Sequence, residues 1–196
     1  MEGVLKPTNW LYYYMVVGHT PNSLVPGVFV DYVEGHEAAL DVGAGNFRDS
    51  LYLLREARFP RVVAVDPFID VPPTPDGIEF LNLSLEDLEF PPDTFDYIIC
   101  CNTLFYVSAE IILKFLKQTC IWLRPGGVMA CNFYGERDDD AIRGSAGGYL
   151  TKQAVEALSG YLPVIQCQEF ETCKAGSNGE VKHWHTWTLV LKKPKD

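Results

Sequence analysis

The feature that most constrains this chain is an alternation of short apolar runs with segments of helical spacing. Ala38–Val42, Arg61–Asp66, Ile78–Leu83, Asp96–Cys101 and Val128–Phe133 read as buried strands. Around them lie helical patterns at Leu24–Val33, at Asp49–Arg58, with leucines at 51, 53 and 54, and at Ser108–Leu123. In the last, Ser108 is the expected N-cap. Ile111, Ile112, Phe115, Leu116, Thr119 and Trp122 form one apolar stripe, and Arg124-Pro-Gly-Gly127 stops the helix. Parallel neighbours need a crossover, so this alternation predicts a parallel sheet with helices on both faces. The four prolines of Pro67–Gly77 predict a loop. The chain closes differently: Thr151 caps a predicted helix ending at Leu158. Pro163–Thr172 and Val181–Lys192, joined through Lys174–Gly179, then predict an antiparallel hairpin.

The 196 residues suit one domain, and a chain of this size hides roughly 70% of its potential surface. Apolar residues at 47% against charged residues at 21% indicate a globular chain. No internal repeat or low-complexity tract interrupts it. The net charge of −10 repels phosphate backbones and anionic lipid, so neither nucleic acid nor membrane is an expected partner. No apolar run approaches the ~20 residues of a membrane span. Met1–Thr8 lacks the basic-then-apolar layout of a secretory signal, and a cytoplasmic location is expected. Six cysteines form no Cys-x-x-Cys pair, and four lie in apolar stretches. They read as buried reduced thiols rather than disulfides or a metal site.

After the first strand stands Asp41-Val-Gly43-Ala-Gly45-Asn-Phe47-Arg-Asp49. Two glycines one residue apart let the backbone turn sharply and let a ligand approach main-chain N–H groups at a helix start. The dinucleotide fingerprint requires a third glycine three residues after the second, and Arg48 stands there. NAD and FAD are therefore disfavoured. Asp66 ends the second strand beside the turn, where its carboxylate can accept both hydroxyls of a ribose; the plainer alternative is a cap on the turn before Pro67.

The order strand, Asp41-Val-Gly-Ala-Gly45, helix, strand, Asp66 resembles a class I S-adenosylmethionine-dependent methyltransferase. Asp93-Thr-Phe-Asp96 before the fourth strand and Leu123-Arg-Pro-Gly-Gly127 before the fifth continue the likeness. It covers about Ala38–Phe133, and the terminal hairpin extends it. Gly45–Leu53 is similar to small tellurite-resistance-type methyltransferases. Trp10–Val25, with its tyrosines and Pro-Asn-Ser, resembles their N-terminal cap. The Lys182-His-Trp-His185 strand resembles related bacterial methyltransferases. The resemblance implies an α/β Rossmann-like three-layer sandwich. Its mostly parallel seven-stranded sheet would have the order 3-2-1-4-5-7-6 and a C-terminal antiparallel hairpin. It implies a single domain, with residues 1–35 a helical cap and 36–196 the core.

By the same resemblance the cofactor is S-adenosyl-L-methionine, leaving as S-adenosyl-L-homocysteine. Its site would comprise Asp41, Gly43, Ala44, Gly45, Asp66, Pro67, Ser84, Leu85 and Asn102. Asp41 orders the turn, Gly43 and Gly45 leave room for the cofactor, and Asp66 holds the ribose. Ser84 stands where many relatives have an aspartate facing the adenine amino group, and Leu85 offers its N–H to the ring. Asn102, after the fourth strand, lies nearest the transferable methyl; its alternative is a turn-forming role. Many methyltransferases have a third glycine where Phe47 stands, and this phenylalanine either narrows the pocket or packs under the following helix. Asn102-Thr-Leu-Phe105 lacks the Asn/Asp-Pro-Pro-aromatic motif of adenine- and amide-modifying enzymes.

Methyl transfer from a sulfonium needs orientation and a dry pocket. A soft anionic acceptor needs no strong base, whereas an alcohol or amine does. Candidates from segments over the carboxyl edge of the sheet are Tyr13, Tyr14, His19, Arg137, Arg143, His183 and His185. Tyr12–Tyr14 reads as a packing surface or as a lid. His183 and His185 share one strand face: a metal pair or base, or simple packing, the latter favoured because no third ligand is near. Arg137 and Arg143 flank Asp138–Asp140 in what reads as a solvated loop, with an anion clamp as the alternative. The functional expectation is methyl transfer to a small-molecule acceptor, with a cofactor-binding module without turnover as the alternative. A macromolecular substrate lacks an evident groove, and oligomeric state is open.

Overall fold

The computed structural model describes residues 18, 20–67, 73–175 and 179–195. Three helices and five strands alternate in the first two-thirds: α1 (Leu24–Tyr32), β1 (Ala38–Val42), α2 (Arg48–Arg55), β2 (Arg61–Val65), β3 (Ile78–Leu81), β4 (Phe95–Cys100), α3 (Ala109–Trp122) and β5 (Leu123–Tyr134). Then come the one-turn α4 (Asp139–Ile142) and α5 (Lys152–Leu158), followed by β6 (Val164–Ala175) and β7 (Val181–Lys192), which brings the described helices to five. The strands form one sheet in the order β3-β2-β1-β4-β5-β7-β6. β3, β2, β1, β4 and β5 run parallel, while β7 is antiparallel to β5 and to β6. This is the expected Rossmann-like order with its terminal hairpin.

The strands are long apolar runs because both sheet faces are covered. One face packs Leu40, Val63, Ile98, Met129 and Leu189 against Ile112, Phe115 and Leu116 of α3 and Val155 and Leu158 of α5. The other packs Ala39, Val62, Tyr97, Ala130 and Val190 against Val25 and Val28 of α1 and Leu53 of α2. Each such fully buried aliphatic side chain contributes about 1.5–3 kcal/mol. The caps fall where the residue chemistry places them: Ser108 Oγ accepts from Ile111 N–H, and Thr151 Oγ1 from Ala154 N–H.

Several boundaries shift for local reasons. α2 ends at Arg55, short of the expected Arg58, because Arg58 itself is left-handed at φ 58°. β3 stops at Leu81, and the chain enters a 3₁₀ turn over Leu85–Asp87. Leu123 belongs to β5, opposite Phe95, rather than to the preceding helix. Gly127 permits the irregular register that follows, since a Cβ there would lie 2.9 Å from Arg124 O and 3.0 Å from Phe95 O. α4 was masked in the sequence by its run of aspartates; Asp138 caps it. The thiol expectation needs correction: all six cysteines are free, but Cys167 and Cys173 are exposed, because β6 is an outer strand with one open edge. Among the described residues no helix is long and apolar enough to cross a membrane.

Candidate active site

The carboxyl ends of β1, β2 and β4 meet at the glycine turn. Gly43 and Ala44 both donate to Val65 O at the end of β2, at 2.7 and 3.0 Å, and Gly45 N–H donates to Asp66 Oδ2 at 2.9 Å. The turn is thus laced to β2, and Asp66, 4% exposed, holds its carboxylate against it. Gly43, Gly45 and Phe47 are left-handed, with φ of 79°, 51° and 63°. At position 47 this explains why a glycine is the usual choice. The phenyl ring does not narrow the turn from above: it is buried with Ala44, Ala64 and Ile78, edge-on to Phe80 at 5.4 Å. Of the two expectations for Phe47, packing is the one realised.

Beneath the turn lies a buried acidic layer. Asp41 Oδ2 accepts from Ser50 Oγ at 2.5 Å, and Asp49 Oδ1 accepts from Asn22 N–H at 2.6 Å. Burial, with Asp49 and Asp66 adding negative charge, pushes the Asp41 carboxyl up to about 8. Burial likewise raises Asp49, opposed by Asn22 and Arg48. Asn46 Nδ2 donates to Gly18 O, so the start of α2 holds Gly18 and Asn22. Pro67 is exposed next to Asp66. Ser84 Oγ donates to Asp87 Oδ2 at 2.6 Å, and Leu85 is buried at the start of the 3₁₀ turn.

At the end of β4, Asn102 is left-handed at φ 59°. Its N–H donates to Asn132 Oδ1 at 2.6 Å, and its Oδ1 accepts from Asn132 Nδ2 at 2.7 Å. The next residue, Thr103, donates from Oγ1 to Val42 O at 3.1 Å. Its side chain fills the space a Cβ on Gly43 would occupy, 1.8 Å from that point. Gly43 therefore admits Thr103, where the sequence suggested room for a ligand.

The acceptor-side candidates sit at the ends of β5, β6 and β7. Residues 181–185 of β7 project past the end of β5, whose last pair is Tyr134 with Thr186. His185 is fully buried; its Nδ1 accepts from Arg137 N–H at 3.0 Å, which leaves Nε2 as the protonated nitrogen, facing Glu169 Oε1 at 3.0 Å. Arg137 binds Glu169 and Glu171 at 2.6 and 2.7 Å, and His183 Nε2 lies 3.5 Å from Glu171. Arg143 is exposed and lies 3.6 Å from Asp139. The solvated-loop expectation for Asp138–Asp140 is corrected. Asp138 is fully buried, pairs with Lys182 at 2.9 Å and accepts from His185 N–H, while Asp140 also binds Lys182. The cause is the overhang of β7, whose outward N–H groups need acceptors. Tyr13, Tyr14 and His19 lie outside the described residues. Among the described residues no group of three or more His, Cys, Asp or Glu side chains is placed to hold a metal ion.

Residues 39–127 match a family described as "Methyltransferase domain". The chain is 31% identical over 121 residues to the "Probable methyltransferase ltbC" of Aspergillus luteorubrus. That alignment covers 60% of this chain but only 38% of the relative. A SAM-dependent methyltransferase of Methanosarcina mazei superposes with a TM-score of 0.63 at 14% identity, covering 86% of this chain and 98% of that one. A Leishmania major SAM-dependent methyltransferase gives 0.61 at 19% identity, covering 86% and 71%. At such identities these two speak for the fold. With these structures the chain shares a Rossmann-like architecture.

The sheet brings Asp41, Gly43, Ala44, Gly45, Asp66 and Asn102 to one edge, linked through Val65, Thr103 and Val42. Sequence reading missed Asp49, Ser50, Thr103, Asn132 and Lys182. Asn132 carried a usable signal, an amide inside the apolar run Val128–Phe133. Ser50 and Asp49 looked like ordinary residues of a helix start, and nothing in the sequence pairs them with Asp41.

Proposed function

We propose that this chain transfers a methyl group from S-adenosyl-L-methionine to a small-molecule acceptor. The observation that carries the reading is Asp66, a carboxylate buried at the end of β2 and bonded to Gly45 N–H of the glycine turn. It sits inside the matched methyltransferase domain. The donor set suits the cofactor: carboxylate oxygen for ribose hydroxyls, the Leu85 backbone and Ser84 for an adenine edge, and Asn102 at the sulfonium end. When bound, the cofactor supplies a methyl on cationic sulfur, and the protein's part is to orient it and exclude water.

The acceptor is proposed as small because the net charge of −10 disfavours polyanions. Arg137, His183 and His185 face carboxylates of β6, which favours an acceptor that needs no strong base from this half of the edge. The likeness of Gly45–Leu53 to tellurite-resistance-type proteins puts metalloid oxyanions and thiols first in an acceptor panel. The same pairing of candidate bases favours, as second reading, a cofactor-binding module without turnover.

Isothermal titration with S-adenosylmethionine and S-adenosylhomocysteine tests the reading. Both are expected to bind, and absence of binding to either ends it. Release of the demethylated cofactor that depends on one of a panel of thiols, metalloid oxyanions, phenols or amines would eliminate the module.

A further inference from the structure

Asn132 faces the end of β4 from a strand that is otherwise apolar from Val128 to Phe133. Its two bonds fix their own direction. A backbone N–H only donates, so the atom it meets is Asn132 Oδ1, and Asn132 Nδ2 must then donate to Asn102 Oδ1. This two-point grip acts on a residue in a sparsely populated backbone region, φ 59°. One residue on, Thr103 bonds Val42 O and occupies the space beside Gly43. The contacts run unbroken from β5 through the exit of β4 to the glycine turn after β1. Both loops this series joins carry left-handed backbone at a non-glycine residue, Phe47 on one and Asn102 on the other, a strain that the surrounding contacts must hold in place.

We propose that Asn132 is a positioning residue for methyl transfer. It holds the β4 exit in its left-handed form and, through Thr103, seats that exit on the glycine turn. The two loops assigned to the cofactor thereby keep one relative geometry. Asn132 acts through Asn102. The inference rests on the methyltransferase reading and adds to it a residue outside the expected site.

The test compares the full chain with Asn132→Leu, Asn132→Thr and Asn132→Asp by titration with S-adenosylhomocysteine and by thermal unfolding. Leucine removes both bonds, and affinity is expected to fall about tenfold or more, as two hydrogen bonds of ordinary strength imply. Threonine suits a strand but stops short of Asn102, and it serves if the leucine variant does not fold. Aspartate accepts the Asn102 N–H, and the Asn102 amide can turn over to donate to its second oxygen; its affinity is expected within about threefold of wild type. A wild-type chain that binds no cofactor fails the methyltransferase reading, and this inference with it. A wild type that binds, with leucine and threonine variants that bind equally well, overturns the positioning role alone, even if their melting temperatures drop. Aspartate no better than leucine overturns the hydrogen-bond basis of the role.

Discussion

At the ends of β1, β2 and β4 the polar side chains bind mostly backbone or neutral groups. At the ends of β5, β6 and β7 the charged ones bind mostly one another. Asp66 takes Gly45 N–H, Asp49 takes Asn22 N–H, Asn132 takes Asn102 N–H and Asp41 takes a serine hydroxyl. Across the edge, Lys182 meets Asp138 and Asp140, and Arg137 meets Glu169 and Glu171. The first half shapes loops and keeps carboxylates within them, and the second neutralises charge to close the sheet. Density of charged residues in the sequence therefore points away from the proposed cofactor site. The glycine turn is the side proposed to hold the cofactor, and the Glu136–Asp140 run with its neighbouring histidines is largely architecture.

The largest expected effect that would sharpen this contrast is on the closing half. Asp138→Ala leaves Lys182 with Asp140 alone and His185 N–H without its carboxylate. It should cost about 3 kcal/mol in chemical denaturation, as breaking a buried pair does, with cofactor affinity unchanged in the folded fraction. A loss of affinity without loss of stability would break the contrast.

Next is Gly43→Ala, which combines a left-handed backbone with collision against Thr103. About 1–3 kcal/mol of stability should be lost from the backbone alone. Thr103→Ala in the same chain should recover part of the rest, and a strictly additive double variant would refute the contact. Asp66→Ala should weaken cofactor binding by about tenfold, or about 1.4 kcal/mol, through loss of a charged acceptor. Unchanged affinity in titration would make Asp66 a cap of the glycine turn and nothing more.

A further effect is a pH dependence. Asp41 titrates near 3.8 in an ordinary setting and near 8 in the fold. The folded chain therefore holds this proton more tightly than the unfolded chain. The associated stability is complete below about pH 4 and is lost as pH rises through about 8. Asp41→Asn has no such proton, so its urea midpoint should vary less across that window. A profile parallel to wild type would assign the dependence elsewhere.

Strand positions and order were legible because strands covered on both faces must be apolar throughout, and the glycine turn and Asp66 were legible because they adjoin strand ends. What was illegible depended on pairs distant in the chain. Asn132 and Asn102 are thirty residues apart and meet only because β4 and β5 are neighbours. Phe47 could not be assigned to pocket or core until the handedness of its backbone set the direction of its ring. Asp138 read as solvated because its partner, Lys182, lies forty-four residues on.

The overhang of β7 has a consequence for association. Past the end of β5, the outward N–H groups of His183 and His185 would be open to strand addition by another molecule. Asp139 and Asp138 place carboxylate oxygens there instead, at 2.9 and 3.1 Å. An incoming strand would have to displace both acids, one of them bound to a buried lysine. Cross-molecular β-pairing is thereby directed to the outer strands β3 and β6, and the aspartate run works as a guard against self-assembly in the middle of the sheet.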